Sequence, residues 1–413
     1  MSASAVAATS VGAVDAELCA GAASTPGLPV DDDLGQDGMS PFQQEWSWSD
    51  DAPPAAGCEE GRTTRLRALT LNILADGLAK GSDADKPQDP SPPCPTVFEE
   101  DDAGGVAYVP GSDSTTANFK FRCDAGALAW RRRWPMLRSL ILALEPDLIG
   151  LQEVDLLNGG PENLSAHDKE IRRDLSRAGF DGTFARKAGR ACDGVALFWR
   201  RSRLRQAGRT ETWRLGQSVH VALAQPLCLD GEQRFIAVAT HLKAGLSEDA
   251  ETARVEQVKV LLQRLARHPD AIVLADLNAH CRPAAIGRPG ETGAGIDDAG
   301  ALLLQPRAYP LLAKSLCSVC ETVLGHEPNF TCWGGWQDRE VRLVCDYIFV
   351  KGELLAPQRV LREPSVDGVL RFAERLPNPQ HPSDHVPLAV DLSVAVEPSI
   401  GVERSAKKKR RGW

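Results

Sequence analysis

The first sixty residues contain no lysine and no arginine, against eleven aspartates and glutamates. A stretch so one-sided in charge, rich in small residues and without hydrophobic periodicity, buries too little apolar surface to offset the entropy of ordering. Residues 1–62 therefore read as a disordered acidic arm, open to protein partners. No apolar run comes near the roughly 18 residues needed to cross a bilayer, which argues against a membrane-spanning helix. The start of the chain has no basic segment, and Asp15 and Glu17 break its run of small residues, so neither a secretory signal nor a transit peptide is expected. The eleven cysteines are an odd number without a paired framework, which suits reduced thiols in a cytoplasmic protein. Cys317 and Cys320 form a C-x-x-C, with Cys332 and Cys345 further on. A second close pair is lacking, so buried thiols are expected there rather than zinc.

The remaining charge is uneven. With the acids of the arm set aside, the formal charge of −9 becomes +2 for the rest of the chain. Residues 80–125 are rich in Pro, Asp and Ser, with nine acids against four bases, and read as a disordered insertion. The last ten residues carry six bases and no acid, so 397–413 form a basic tail suited to nuclear import or an RNA contact. The body, 63–396, is near neutral and lacks the electrostatic footprint of a long nucleic acid.

Within the body, short apolar runs end abruptly in polar residues. The run 271–275 ends in Asp276, Leu277 and Asn278; an acid and an amide two apart lie on one side of an extended chain and point together. The strand expected over 66–74 carries Asn72 near its end. That over 148–152 ends in Glu153, a carboxylate suited to a hard divalent cation. Hairpin strands over 219–229 and 234–242, joined by Asp230-Gly231, end in Thr240-His241-Leu242-Lys243. A strand over 342–350 holds Asp346, whose carboxylate needs a donor or a cation if buried. Ser383-Asp384-His385 precedes a last strand over 386–394. Helices are expected near 128–144, 165–178 and 249–267, the last presenting Arg254 and Gln257. The run Arg131-Arg132-Arg133 reads as a solvated face.

Taken in order, Leu71-Asn72-Ile73-Leu74, Leu151-Gln152-Glu153-Val154, Asp193-Gly194, Thr240-His241-Leu242-Lys243-Ala244, Ala275-Asp276-Leu277-Asn278, Cys345-Asp346-Tyr347-Ile348 and Ser383-Asp384-His385 resemble the endonuclease/exonuclease/phosphatase superfamily. Within it the wording is most similar to the branch of nocturnin and the carbon-catabolite-repression deadenylases. The resemblance covers about 64–394, apart from the insertion. It implies a DNase I-like α/β fold: a four-layer sandwich of two packed mixed β-sheets flanked by helices, with a cleft at one sheet edge. It also implies roles. Glu153 is the principal Mg²⁺ ligand, helped by Asn72 and Asp384. Asp276 activates the attacking water, and Asn278 and His241 donate to phosphoryl oxygens. His385 sits on the phosphate, oriented by Asp346, and Lys243, Arg254 and Arg342 bind substrate. The implied cofactor is one or two Mg²⁺, with Mn²⁺ as the alternative.

Two departures affect the substrate rather than the chemistry. Gly245 stands where the branch has a basic residue after its His-Leu-Lys-Ala, and Leu343 replaces the His that follows the arginine at the position of Arg342. The expected function is a Mg²⁺-dependent 3′–5′ exoribonuclease acting on an RNA 3′ end or poly(A). A 2′-phosphatase of NADP(H) is the alternative, favoured by the near-neutral body, since release of counterions from a long phosphate chain needs many bases. A phosphoinositide or sphingolipid phosphoesterase and a catalytically silent binding module rank lower, the last because Glu153, Asp276 and His385 are all present.

Overall fold

Strands buried on both faces read as nearly continuous apolar runs, and the computed structural model places such strands at the centre of two sheets. It describes residues 39–50, 63–75, 99–100, 106–107, 121–156, 167–189, 191–230, 233–285, 303–335 and 340–395. The expected insertion lies mostly outside these residues, and the basic tail entirely so.

The first sheet contains β1 (Thr63–Asn72), β2 (Leu148–Asp155), β3 (Phe180–Arg186) and β4 (Asp193–Arg200). The second contains β5 (Leu204–Gln206), β6 (Glu211–Arg214), β7 (Val221–Leu229), β8 (Gln233–His241), β9 (Ala271–Asp276), β10 (Cys317–Ser318) and β11 (Asp346–Lys351). The chain then returns to the first sheet with β12 (Leu355–Val360) and β13 (Leu388–Ala395). The strand orders are β12-β13-β1-β2-β4-β3 and β10-β11-β9-β8-β7-β5, with β6 also paired to β7. Both sheets are mixed: β1 runs parallel to β2 and β8 parallel to β9, while the other pairs are antiparallel. The strand expected over 342–350 is two pieces, Glu340–Leu343 in a hairpin with Cys332–Gly335, and then β11.

Side-chain alternation sorts the apolar residues into three layers. Leu66 and Ala68 of β1 point inward with Leu197, Leu223, Ala239, Leu274, Ile348 and Val390, filling the space between the sheets. Leu69 and Leu71 point outward against α1 (Trp130–Ala143) and α2 (His167–Arg177), meeting Trp134, Leu137, Ile141, Ile171 and Leu175. The outer face of the second sheet meets α3 (Glu248–Leu265) through Val258, Leu261 and Leu265. Ser247 caps α3, accepting from the Ala250 N–H, and Glu248, Asp249 and Glu251 oppose the positive end of its dipole. Helices on sheet on sheet on helices is the expected four-layer sandwich.

The sheets approach closely. A Cβ on Gly150 would lie 2.6 Å from that of Leu274 in the opposite sheet, so glycine is required for the contact. Beside it Gln152 donates to Thr70 at 3.0 Å and to the Leu274 carbonyl at 3.3 Å, bridging the layers.

Three expectations need correcting. Arg133 is fully buried rather than solvated: it donates to the carbonyls of Leu128, Ile73 and Pro382, tying α1 to the end of β1 and to the loop before His385. Residues 39–50 are not a free arm, since Phe42 packs edge-on against Phe372 at 5.4 Å and Ser49 N–H donates to Val360. Among the described residues seven cysteines are free thiols, but Cys192 is disulfide-bonded, against the expectation of reduced thiols.

Asp391 is an electrostatic anchor of the first sheet. Arg67 grips it with two hydrogen bonds of 2.7 and 3.0 Å, and Arg359 adds a third of 2.7 Å. Burial opposes its charge, but the two guanidiniums outweigh it and hold its pKa below the usual carboxylate range. A lowered folded pKa contributes stability that is complete above the unfolded carboxylate value and is lost as pH falls through the folded one. Asp391→Asn, which strands the buried Arg67 cation, should destabilise by about 3 kcal/mol. Chemical denaturation at neutral pH, repeated down to about pH 3, tests this: the gap between variant and wild type should narrow on the acid side. Phe42→Ala should cost about 3 kcal/mol by the same measurement, whereas a free arm would show no change.

Candidate active site

The two sheets present their polar strand ends at one edge. In the second sheet His241, Asp276 and Asp346 are direct neighbours across β8, β9 and β11. In the first, Asn72 at the end of β1 pairs with Gln152, next to Glu153. Glu153 sits at an irregularity where the β2–β4 register shifts between Gln152 and Val154, and its φ is +56°. An extra residue of this kind turns its side chain away from the pleat. Leu74 (φ +58°) and Asn278 (φ +48°) are also left-handed. Non-glycine residues rarely adopt this conformation, and here three of them flank the strand ends.

Asn72 joins the sheets chemically. Its Nδ2 donates to Glu153 Oε1 at 3.0 Å and to Asp276 Oδ2 at 2.9 Å, and its Oδ1 accepts from Leu74 N–H at 2.9 Å. The other Glu153 oxygen accepts from Ala75 N–H at 3.0 Å, and the other Asp276 oxygen from Asn278 N–H at 2.8 Å. His241 Nε2 stands 3.5 Å from Asp276 Oδ2. Asn72 thus holds the two carboxylates through its amide hydrogens, where the sequence suggested a metal-ligating oxygen.

Electrostatics separates the site's groups. Burial, and then the adjacent Asp346 carboxylate, lift Asp276 well above the usual carboxylate range, as befits a proton acceptor. Burial, and then Lys187, keep His241 well below its usual value, so it is a neutral imidazole with one N–H to donate. His385 goes the other way. Burial disfavours its charge, but Asp346, 2.7 Å from its Nδ1, outweighs that and raises it well above 6.5. Asp346 is fixed by its own N–H donating to Thr331 Oγ1 at 2.9 Å. A neutral imidazole and a charged one therefore flank the raised Asp276.

The carboxylates and imidazoles gather in overlapping groups: Glu153 with His241 and Asp276, Asp276 with Asp346 and His385, and Cys332 with Asp384 and His385, each within 4.8 Å. Asp346 Oδ1 and Asp384 Oδ1 are buried without a hydrogen-bond partner among the described residues. Buried oxygens of this kind call for a cation or water. An oxygen-rich set with imidazole suits a hard divalent ion, and Glu153 with His241 and Asp276 is one group that could hold it. Asp384 is brought to Cys332 and His385. Of the four cysteines weighed for zinc in the sequence, Cys332 joins Asp384 and His385 in the last of these groups.

Asn278 Nδ2 donates to the Leu242 carbonyl at 3.2 Å, bracing the turn after β9. Lys243 is held through its backbone N–H by Gln257, and its carbonyl, with that of Gly245, accepts from Arg254. Arg254 is itself fully buried and paired with Glu251 at 2.7 Å. The expectation that it binds substrate is therefore corrected: its donors are taken up by Glu251 and by the carbonyls of the Lys243 loop. Arg342 lies over Trp333 and Phe330, 4.6 and 5.7 Å from their ring centres, and makes no hydrogen bond or ion pair among the described residues. Lys187 was missed. Its Nζ is 2.6 Å from Asp193, itself 3.9 Å from His241 Nδ1. Asp193 stood in the motif order without a role, whereas no spacing marked Lys187.

The Endonuclease/Exonuclease/phosphatase family model matches residues 133–385. Nocturnin of Rattus norvegicus is 29% identical over 295 residues, 67% of this chain and 62% of the relative, so the chain spans less than two thirds of that protein's length. Carbon catabolite repressor protein 4 homolog 4 of Arabidopsis thaliana is 23% identical over 322 residues, 65% of this chain and 72% of the relative. Among solved structures, the human nocturnin catalytic domain with bound sulfate superposes with a TM-score of 0.54 at 22% identity, over 86% of this chain and 100% of that one. ANGEL2, a 2′,3′-cyclic phosphatase in complex with adenosine-2′,3′-vanadate, gives 0.55 at 15% identity, over 82% and 100%. These likenesses bear out the fold. Because the matched region exceeds half of the sequence and contains Glu153, His241, Asp276, Asp346 and His385, the chain belongs to the Endonuclease/Exonuclease/phosphatase family.

Proposed function

We propose that the chain is a Mg²⁺-dependent phosphoric-ester hydrolase, acting as a 3′–5′ exoribonuclease on RNA ends. The observation that carries the chemistry is Asp276: a buried carboxylate with a raised pKa, held by Asn72 to Glu153 and flanked by a neutral histidine and a charged one. In the proposed reaction Asp276 takes a proton from water as the oxygen attacks phosphorus. The ester P–O bond breaks, and its electron pair leaves with the departing oxygen, which is then protonated. His241 and Asn278 donate to non-bridging oxygens, and the His385 imidazolium, oriented by Asp346, balances the developing negative charge. Mg²⁺, which Glu153 would hold, would supply further charge neutralisation. Lys243, on the loop shaped by Arg254 and Gln257, and Arg342, on its aromatic faces, would contact the rest of the substrate.

A second reading has one observation in its favour. The +2 charge of residues 61–413 is small for a protein that follows a long phosphate chain, and suits a 2′-phosphatase of NADP(H). The deciding experiment offers purified protein an adenylate-tailed RNA oligomer and NADPH in parallel with Mg²⁺. Stepwise shortening of the RNA supports the exoribonuclease, phosphate release from NADPH alone replaces it with the phosphatase, and turnover of neither removes both. Glu153→Gln should abolish Mg²⁺-stimulated turnover while retaining the wild-type melting temperature. Asp276→Asn should lower kcat about 1,000-fold or more with KM nearly unchanged; an effect confined to KM would contradict proton abstraction by Asp276.

A further inference from the structure

The segment 39–50 reaches the active site through one imidazole. Gln43 is buried; its Oε1 accepts from Ser40 N–H at 3.1 Å, and its Nε2 lies 3.1 Å from His381 Nδ1. Across the ring, His381 Nε2 lies 2.7 Å from the carbonyl oxygen of His385. A carbonyl only accepts, so Nε2 carries the hydrogen. Burial holds His381 down to about 4, so the ring is neutral at neutral pH and Nδ1 is a bare acceptor. The direction of both bonds follows: the Gln43 amide donates to the ring, and the ring donates to the backbone of His385. The same loop is gripped elsewhere. Ser40 Oγ donates to the Gln380 carbonyl at 2.7 Å, and Phe42 N–H to the Gln380 side chain at 3.1 Å. Phe42 and Trp46 meet the His381 ring edge-on, at 6.0 and 5.6 Å between centres.

We propose that residues 39–50 are a positioning element of the active site, in which Gln43, acting through His381, sets the place of His385 against Asp346. This rests on the reading of the site as a phosphoesterase centre and deepens it: hydrolysis depends on a segment lying 338 residues upstream of the histidine it contacts. His385 meets Asp346 through Nδ1 at 2.7 Å, so a shift of the His385 backbone displaces the ring from that partner and changes its place in the cleft. Misplacement by about 1 Å can cost about a hundredfold in rate.

The test uses the full chain with four substitutions, assayed with Mg²⁺ on the adenylate-tailed RNA oligomer and on NADPH. Gln43→Ala and His381→Leu should each lower kcat about 10- to 100-fold with KM within about twofold. His381→Gln places an amide N–H where the imidazole Nε2–H stood, and should recover much of the loss. Gln44→Ala, exposed on the same turn, should keep the wild-type kcat. Wild-type kcat in Gln43→Ala, or equal losses in His381→Leu and His381→Gln, would overturn the proposal and leave 39–50 a packing element. Hydrogen exchange gives a readout independent of turnover. The His385 N–H, which donates to Ser383 Oγ at 3.2 Å, should exchange at least about tenfold faster in Gln43→Ala while the β9 amides keep their protection. If the full chain hydrolyses neither substrate, the phosphoesterase reading fails. Exchange then decides the positioning role by itself, and an unchanged His385 rate overturns it.

Discussion

The architecture of the site depends on one amide. Asn72 belongs to one sheet and Asp276 to the other, and their 2.9 Å hydrogen bond exists only because the sheets come together tightly behind it. Gly150 permits that approach by presenting no side chain to Leu274, and Gln152 fastens it by donating across the gap. The same Asn72 nitrogen reaches Glu153, so two carboxylates that would repel are held a fixed distance apart by a shared donor. Core packing and site geometry are consequently one problem: a shift between the layers would open the Asn72 bridge before it exposed much apolar surface.

Around this centre the protein divides labour between sheets and loops. Strand register places His241, Asp276 and Asp346 side by side, with errors no larger than the pleat allows. Loops supply what register cannot. The 376–385 loop brings His385 to Asp346 and is restrained from three directions: Arg133 on the Pro382 carbonyl, Ser383 on the Asn72 carbonyl, and segment 39–50 on Gln380 and His381. Buried arginines serve this architecture rather than substrate. Arg133 directs its guanidinium donors at backbone carbonyls beside the cleft, and Arg254 divides its own between Glu251 and the carbonyls of Lys243 and Gly245.

Much of this was legible in the sequence because strands buried on both faces announce themselves, and polar residues at their ends stand out against apolar runs. Asn72, Glu153, His241, Asp276, Asp346 and His385 were all singled out on that basis and converge at one edge. The less visible elements are short or mixed in polarity. Strands β3, β5 and β6 carry exposed polar residues, β12 carries half-buried ones, and none has a clean alternation. The burial of Arg133 is invisible beside Arg131 and Arg132, because which of three adjacent arginines faces the sheet depends on the helix's rotation about its axis. Gln43 and His381 are remote in sequence, and an acidic composition outweighed the few aromatic residues that anchor 39–50. Arg254 looked like a substrate contact because spacing reveals a face of a helix, not what another loop has already placed there.

The left-handed residues Leu74, Glu153 and Asn278 carry a consequence for adaptation. Each sits in a conformation that disfavours a side chain by roughly 1 kcal/mol or more, so the cleft holds conformational strain at three positions together. Glycine would relieve it. Selection for thermal robustness alone would accordingly favour Glu153→Gly and Asn278→Gly, removing the very groups that converge on Asp276. The rim of this cleft is where durability and reactivity exert opposite evolutionary pressures on the same codons.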